Sequence, residues 1–397
     1  MKPKPKAAPH RALAIRFTLI VLKLLVVGCG MICAGFITGW NIWAVLSIPL
    51  IYVLAIIATI LHELGHLFAA YLMGLQVQQF GIFPLKLARK GRRFHLRFHL
   101  DGRYDGLVGA FPLDDRRIRQ RLFVFTAGGP AANLLAGLLC LVLALWADSA
   151  FPPQLPASKL GFLFDFAAII NFVYCLVNLI PHRFGAFRSD GSRLLGYCRR
   201  SQWAERLFMV LSLQAIKLSG TRPSDWDALQ VEHMLALRDG SPDDLNSNLF
   251  GYYHALDAGD LHSAGACLDL AVALPRESVL VYPEEVVLEK AYFEAMHRNN
   301  VEARSWLAKA QGYEDEKQTR LRAEAAVLFV EGHYAEASAR ARAAIAEIAN
   351  SIDRGGCLAE SEWLQSLLVE CQKQPTPAAL QSKSGEIGAL LPNPIYP

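Results

Sequence analysis

None of the eight cysteines, at 29, 33, 140, 175, 198, 267, 357 and 371, belongs to a CxxC pair or a short secreted frame, which excludes a disulfide scaffold and a thiolate metal site. They read as packing residues. The N-terminal run MKPKPKAAPHRALAIRFTLIVLKLL begins like a secretion signal, but no small-residue cleavage site closes it and a second apolar segment follows at once. An uncleaved membrane helix is expected instead. Lysine and arginine are missing from residues 40–43 and 148–158, which bears on orientation in a membrane. Between Glu63 and Glu205 there is no glutamate, which limits the carboxylates available to a metal. With a formal net charge of only +4, no nucleic-acid partner is expected.

What the chain has in excess is apolar residues: 53% are hydrophobic, more than soluble chains usually carry. Four segments, roughly 17–39, 44–74, 122–147 and 159–181, are long enough to cross about 30 Å of hydrocarbon at about 1.5 Å per residue. Five Lys and Arg precede the first, eleven lie in residues 75–121 and six in 182–206, against none in the other two connections. The positive-inside rule then places the N-terminus, the 75–121 loop and everything after 181 in the cytoplasm, next to the lipid bilayer. Trp40, Trp43 and Trp146 fall at the outer interface, and Lys23 snorkels inward. In the long loop, FGIFPLKLARKGRRFHLRFHLDGRYDGLVGAFPL alternates apolar with basic residues around glycine turns, the pattern of a β-hairpin over 76–113 with one apolar face at the membrane surface. His95 and His99 belong to its basic face.

The second span contains ATILHELGHLFAAYLMG, residues 58–74, which sets two imidazoles and a carboxylate in an apolar helix. Ionisable side chains are costly there and mark function. His62 and His66, at i and i+4, share one helix face and can hold a single zinc ion, with Glu63 placed to take a proton from an activated water. Zinc wants a third protein ligand and one open position. With no glutamate before Glu205, the candidates are Asp165 and Asp190. Asp165 stands about 9 Å from the outer end of the fourth span, whereas His62 and His66 lie toward the cytoplasmic end of the second. Depth favours Asp190, just beyond the cytoplasmic end of the fourth span.

HELGH at 62–66, AGGPAAN at 127–133 and NLIPHRFGAFRSDG at 178–191 together resemble the three signature stretches of the site-2 protease family of intramembrane zinc metalloproteases. The resemblance covers about residues 40–200. It implies one zinc per chain held by His62, His66 and Asp190, with Glu63 as general base and Asn133 and Asn178 near the site, positioning substrate or the developing oxyanion. The alternative role for the two asparagines is hydrogen bonding between helices. Gly128, Gly129 and Pro130 allow close helix approach and a kink. The chain departs from the family pattern twice. Eight residues separate Pro181 from Asp190 where the pattern has about four, and no PDZ-like domain interrupts the chain. His182 is the substitute ligand if Asp190 falls short.

From about 207 the pattern becomes amphipathic helices, and RLFMVLSLQAIKLSG, residues 206–220, reads as a surface helix leaving the membrane. The turns AGD at 258–260, HRN at 297–299 and EGH at 331–333 recur at intervals of 39 and 34 residues. Five residues after each turn's centre stands an alanine (Ala264, Ala303, Ala337), and twelve after it another (Ala271, Ala310, Ala344). The second interval is the tetratricopeptide period, and small residues at such offsets suit the contact between the two helices of a unit. The alternative is an ordinary helical bundle with alanine-rich contacts.

The expected fold is a polytopic α-helical membrane protein with a membrane-surface β-hairpin, followed by an all-α helical-repeat domain. Its parts are a basic cytoplasmic N-terminus (1–16), a membrane metalloprotease domain (17–206), a tetratricopeptide-like cytoplasmic domain (207–372) and a flexible tail (373–397). The expected function is zinc-dependent hydrolysis of membrane-spanning protein substrates near the cytoplasmic face, with the repeats binding substrate or a regulator. Family resemblance and the charge rule imply a bacterial inner membrane. The rivals are a non-catalytic membrane scaffold with a vestigial metal site, against which the intact Glu63 speaks, and a membrane zincin that uses Glu205 or a later glutamate.

Overall fold

The computed structural model describes residues 42–90, 93–98, 106–150, 159–184, 187–241, 243–274, 285–297, 300–310 and 317–374. The expected span 17–39, the basic N-terminus, Cys29, Cys33, Trp40, His99 and all of the tail but residues 373 and 374 lie outside them. The chain divides into two compact units, residues 1–219 with 227–250 and 274–281, and residues 220–226 with 251–273 and 282–397.

Three long helices form the frame of the first unit: α1 (Ile42–Leu72), α2 (Ile118–Ala150) and α3 (Lys159–Leu179). Each has a stretch long and apolar enough to cross a membrane, Pro49–Leu72, Ile118–Ala150 and Gly161–Leu179. Their outward faces stay apolar, as at Leu135, Leu139, Val142 and Leu145 of α2, because lipid rather than water suits them. α2 starts four residues before the expected span. Its added polar turn carries Arg121, whose guanidinium donates to the Met73 and Gly74 carbonyls, each at 2.8 Å, and so satisfies groups at the C-terminal end of α1. α1 and α2 touch backbone to backbone where Gly65 meets Gly128. A Cβ on Gly128 would lie 2.5 Å from the Gly65 carbonyl oxygen, so only hydrogen fits between the helices.

The segment expected as one hairpin is a four-stranded antiparallel sheet. Its strands are β1 (Leu75–Ile82), β2 (Leu85–Lys90), β3 (Arg93–Phe98) and β4 (Gly106–Pro112), in the order β3-β2-β1-β4. The pairs Leu85↔Phe98, Leu87↔Leu96 and Arg89↔Phe94 put five apolar side chains on one face, all exposed, while Lys86, His95 and Arg97 take the other. The alternation read from the sequence is therefore real.

After α3 come the two-residue strands β5 (Arg183–Phe184) and β6 (Phe187–Arg188), then α4 (Asp190–Cys198), α5 (Gln202–Ser219), α6 (Ala228–Ala236) and α7 (Asp244–Asp257). α5 covers the residues expected as a departing surface helix, yet it packs into the first unit. Phe208 shares a core with Leu122, Phe125 and Tyr197. Arg206 is fully buried and compensated by Asp244 at 2.6 Å, Asp239 at 3.1 Å and the Leu237 carbonyl at 2.9 Å.

Helices and turns make up the described residues of the second unit, with the later part of α7 followed by α8 (Leu261–Ala273), α9 (Glu285–His297), α10 (Asn300–Lys309), α11 (Lys317–Val330), α12 (Tyr334–Ile348) and α13 (Arg354–Lys373). All six alanines of the repeat are 0% exposed. The expected turns at 258–260 and 331–333 separate helices, each with a glycine at positive φ (Gly259 at 81°, Gly332 at 83°). Residues 298–299 of the third turn lie outside the described residues.

Candidate metal centre

The Gly65–Gly128 contact brings one face of α1 against the middle of α2, and His62, Glu63 and His66 are all buried there. Each imidazole is held by its Nδ1. His62 Nδ1 donates to Asn133 Oδ1 at 2.7 Å, and His66 Nδ1 donates to the Phe125 carbonyl at 2.8 Å. Asn133, wholly buried, spends its own N–H groups on the Ala58 carbonyl and on Asn171 Oδ1, both at 2.9 Å. A carbonyl can only accept, so the Ala58 contact fixes the Asn133 amide orientation and with it the His62 tautomer. Both Nε2 atoms are therefore left as lone pairs.

Those lone pairs converge with a carboxylate. His62 Nε2 and His66 Nε2 are 3.2 Å apart, and Asp190 Oδ2 lies 3.0 Å from the first and 3.4 Å from the second. Three acceptors at this spacing repel one another unless a positive charge lies between them. Donors about 2.0–2.1 Å from a tetrahedral zinc stand about 3.3–3.4 Å apart, so the triangle fits such an ion. Among the described residues these three form the one group of His, Cys, Asp or Glu able to hold a metal. Gly129 provides the room: a Cβ there would sit 2.7 Å from His62 Nε2 and closer still to His66 Nε2.

Asp190 reaches this point despite the eight residues after Pro181. The Ser189 amide donates to the His182 carbonyl at 3.1 Å, the His182 amide donates to Ser189 Oγ at 3.0 Å, and Ser189 Oγ donates to the Ile180 carbonyl at 2.8 Å. The extra residues thus close on themselves as the β5–β6 hairpin. Ser189 then caps α4 by accepting from the Ser192 amide at 3.1 Å, which starts the helix with Asp190 in its first turn. Glu63, next to His62 on α1, lies against the start of β4. A Cβ on Gly106 would come within 2.5 Å of its Cγ and 2.6 Å of its Cδ.

The other candidates lie elsewhere. Asp165 interacts with Asp148 of α2, Glu205 is ion-paired with Arg119, and the exposed His182 turns its Nδ1 to the Ile180 carbonyl at 3.0 Å. Asn178 donates to the Tyr174 carbonyl of its own helix at 2.9 Å. Sequence reasoning missed Asn171, the Phe125 carbonyl and Gly106. Asn171 was open to the same rule that singled out the histidines, being an amide within an apolar helix; the other two act through backbone, which leaves no local signal.

No curated protein and no solved structure matches the chain. Residues 49–152, which contain the HELGH and GPAAN stretches but not Asp190, match the model of Peptidase family M50, the site-2 protease family of membrane metallopeptidases.

Proposed function

We propose that this chain is an intramembrane zinc endopeptidase that hydrolyses membrane-spanning protein substrates near the cytoplasmic face, with one zinc held by His62, His66 and Asp190. The reading is carried by the convergence of two lone-pair nitrogens and one carboxylate oxygen within 3.4 Å of each other beside a buried Glu63. When bound, zinc polarises a carbonyl and brings the pKa of water to about 7. Glu63 is the general base that takes the proton from water and returns it to the leaving amine. Asn133 holds His62 in the ligating tautomer, a positioning role that uses both of its N–H groups and leaves none for an oxyanion. Asn178 retains the role that the family resemblance implies, near the bound substrate.

A membrane helix hides its peptide bonds, so a substrate must unwind locally into an extended form. Among the described residues β4 is an edge strand, and its first residue, Gly106, lies against Glu63, which suits addition of that segment to its outer edge. The helical repeats of the second unit, tetratricopeptide-like in their alanine contacts, bind substrate or a regulator. The N- and C-termini face the cytoplasm of a bacterial inner membrane.

The test is zinc content per purified full-length chain in detergent, for the parent, Asp190→Ala, Asp165→Ala and Glu63→Gln, with cleavage of a single-span reporter. One zinc lost only with Asp190→Ala, and cleavage lost with both Asp190→Ala and Glu63→Gln, is the expected outcome. A parent without zinc after metal-replete purification returns the weight to a non-catalytic scaffold. A proline placed in β4 should depress cleavage while leaving zinc bound, and unchanged cleavage would remove the edge-strand role.

A further inference from the structure

The lengthened loop before Asp190 must be held in place by something, and the structure shows what lies on it. Arg188, the last residue of β6, is two positions before Asp190 and only 12% exposed. Its guanidinium lies 4.1 Å over the Trp203 ring of α5, and its Nη2 donates to Asp243 Oδ2 at 2.9 Å. Arg183, on the opposite strand, comes within 3.9 Å of the same carboxylate oxygen. One carboxylate thus gathers both strands of the hairpin.

Asp243 itself stands on a rigid base. Asp244 accepts from the amides of Asp239 at 3.1 Å and Gly240 at 2.6 Å, and the buried Arg206 ties Asp239, Asp244 and the Leu237 carbonyl together. Residues 237, 239, 240 and 244 are therefore tied together beside Asp243. A hairpin closed only at its base by Ser189 can still swing about that base, and a swing would carry the first turn of α4 with it.

We infer that Asp243 is a positioning residue for the metal centre: through Arg188 it fixes the β5–β6 hairpin and so sets the approach of the Asp190 carboxylate to His62 and His66. The inference rests on the zinc reading above. It assigns a purpose to a loop longer than the family pattern and to a carboxylate far from the motifs in sequence.

The experiment is zinc affinity by chelator competition on the full-length chain in detergent. Asp243→Ala is expected to weaken zinc about tenfold, at the lower end of the range for residues that support metal ligands, because Asp243 acts through one intermediate. Asp243→Glu, which keeps the charge, should recover most of the loss. The double reversal Arg188→Asp with Asp243→Arg should bind zinc more tightly than either single change. Asp239→Ala, which loosens the base of Asp243 but leaves its contact with Arg188, is expected to give a smaller loss, and thermal unfolding of the zinc-free chains reports general damage. Parent-like affinity in Asp243→Ala overturns the inference, as does a loss that neither Asp243→Glu nor the double reversal recovers. A parent that takes up no zinc overturns the metal reading and this one with it, so the two failures are distinguishable.

Discussion

Gly129→Ala isolates the metal centre from the packing around it. The added Cβ would lie 2.7 Å from His62 Nε2, about 0.7 Å inside the closest ordinary contact of 3.4 Å, and would crowd His66 Nε2 more. Zinc–ligand distances tolerate about 0.2 Å, so at least one imidazole must leave the ligating position. Tetrahedral zinc sites bind with about 10–16 kcal/mol, and the share of one ligand in four is about 3 kcal/mol, roughly a hundredfold or more in Kd. Chelator competition with the full-length chain reads this directly. Gly137→Ala is the control, because its Cβ would press on the Phe172 ring of α3 at 2.7 Å, from the same helix as Gly129 but away from the histidines. Both variants should unfold at lower temperature than the parent, and only Gly129→Ala should lose zinc. A Gly129→Ala chain whose zinc affinity stays within about threefold of the parent would refute the placement of the metal between the two Nε2 atoms.

Gly106→Ala should displace the Glu63 carboxylate without disturbing the ligands, lowering reporter cleavage about a hundredfold while zinc content stays at one per chain; undiminished cleavage would separate Gly106 from the base. In the second unit, Arg222 bridges Glu362 and Asp257, whose side chain is 0% exposed, so Arg222→Ala leaves that carboxylate with the Ser224 amide but no cation and should cost about 3 kcal/mol in chemical unfolding. Burial pushes Asp257 up, but hydrogen bonds from Arg222 and Ser224 more than offset this and leave its pKa depressed. Its contribution is therefore complete above the unfolded value of about 4 and is lost as pH falls through the folded value, so the parent should lose stability more steeply on acidification below about 4 than Arg222→Ala does. Ala310→Leu, at a fully buried repeat position, should overpack the helix contact by about 1–3 kcal/mol, and a neutral result would mean that the contact has slack.

The three described membrane helices were legible because their signal is local: an apolar run of sufficient length can only be a helix when no water is present to satisfy its backbone. Their ends were less so. The start of α2 at Ile118 depends on Arg121 finding the carbonyls at the end of α1, a contact 48 residues away in sequence. The sheet was legible in its alternation but not in its strand count. β1 pairs with β4 across more than twenty residues, and no two-residue turn announces that pairing. α5, expected as a departing surface helix, packs into the first unit because Phe208 meets Tyr197 of the preceding helix together with Leu122 and Phe125, which are far from it in sequence. The six repeat alanines stood out for the opposite reason, since a recurring small residue marks a recurring contact.

The metal centre divides along the same line. His62 and His66 were readable together because a helix converts a spacing of four residues into a fixed distance on one face, and the 3.2 Å between their Nε2 atoms follows. Asp190 was harder because spacing in a loop measures contour length, not separation. Eight residues from Pro181 looked too many, yet the His182 and Ser189 backbones hydrogen-bond to each other, so the intervening residues add almost nothing to the distance the chain must cover. An insertion between paired positions is thus invisible to the metal, provided that the hairpin it forms keeps one orientation. That condition is what Arg188, Trp203 and Asp243 supply, and it explains why a longer loop here should cost a ligand only when its outer tether is cut.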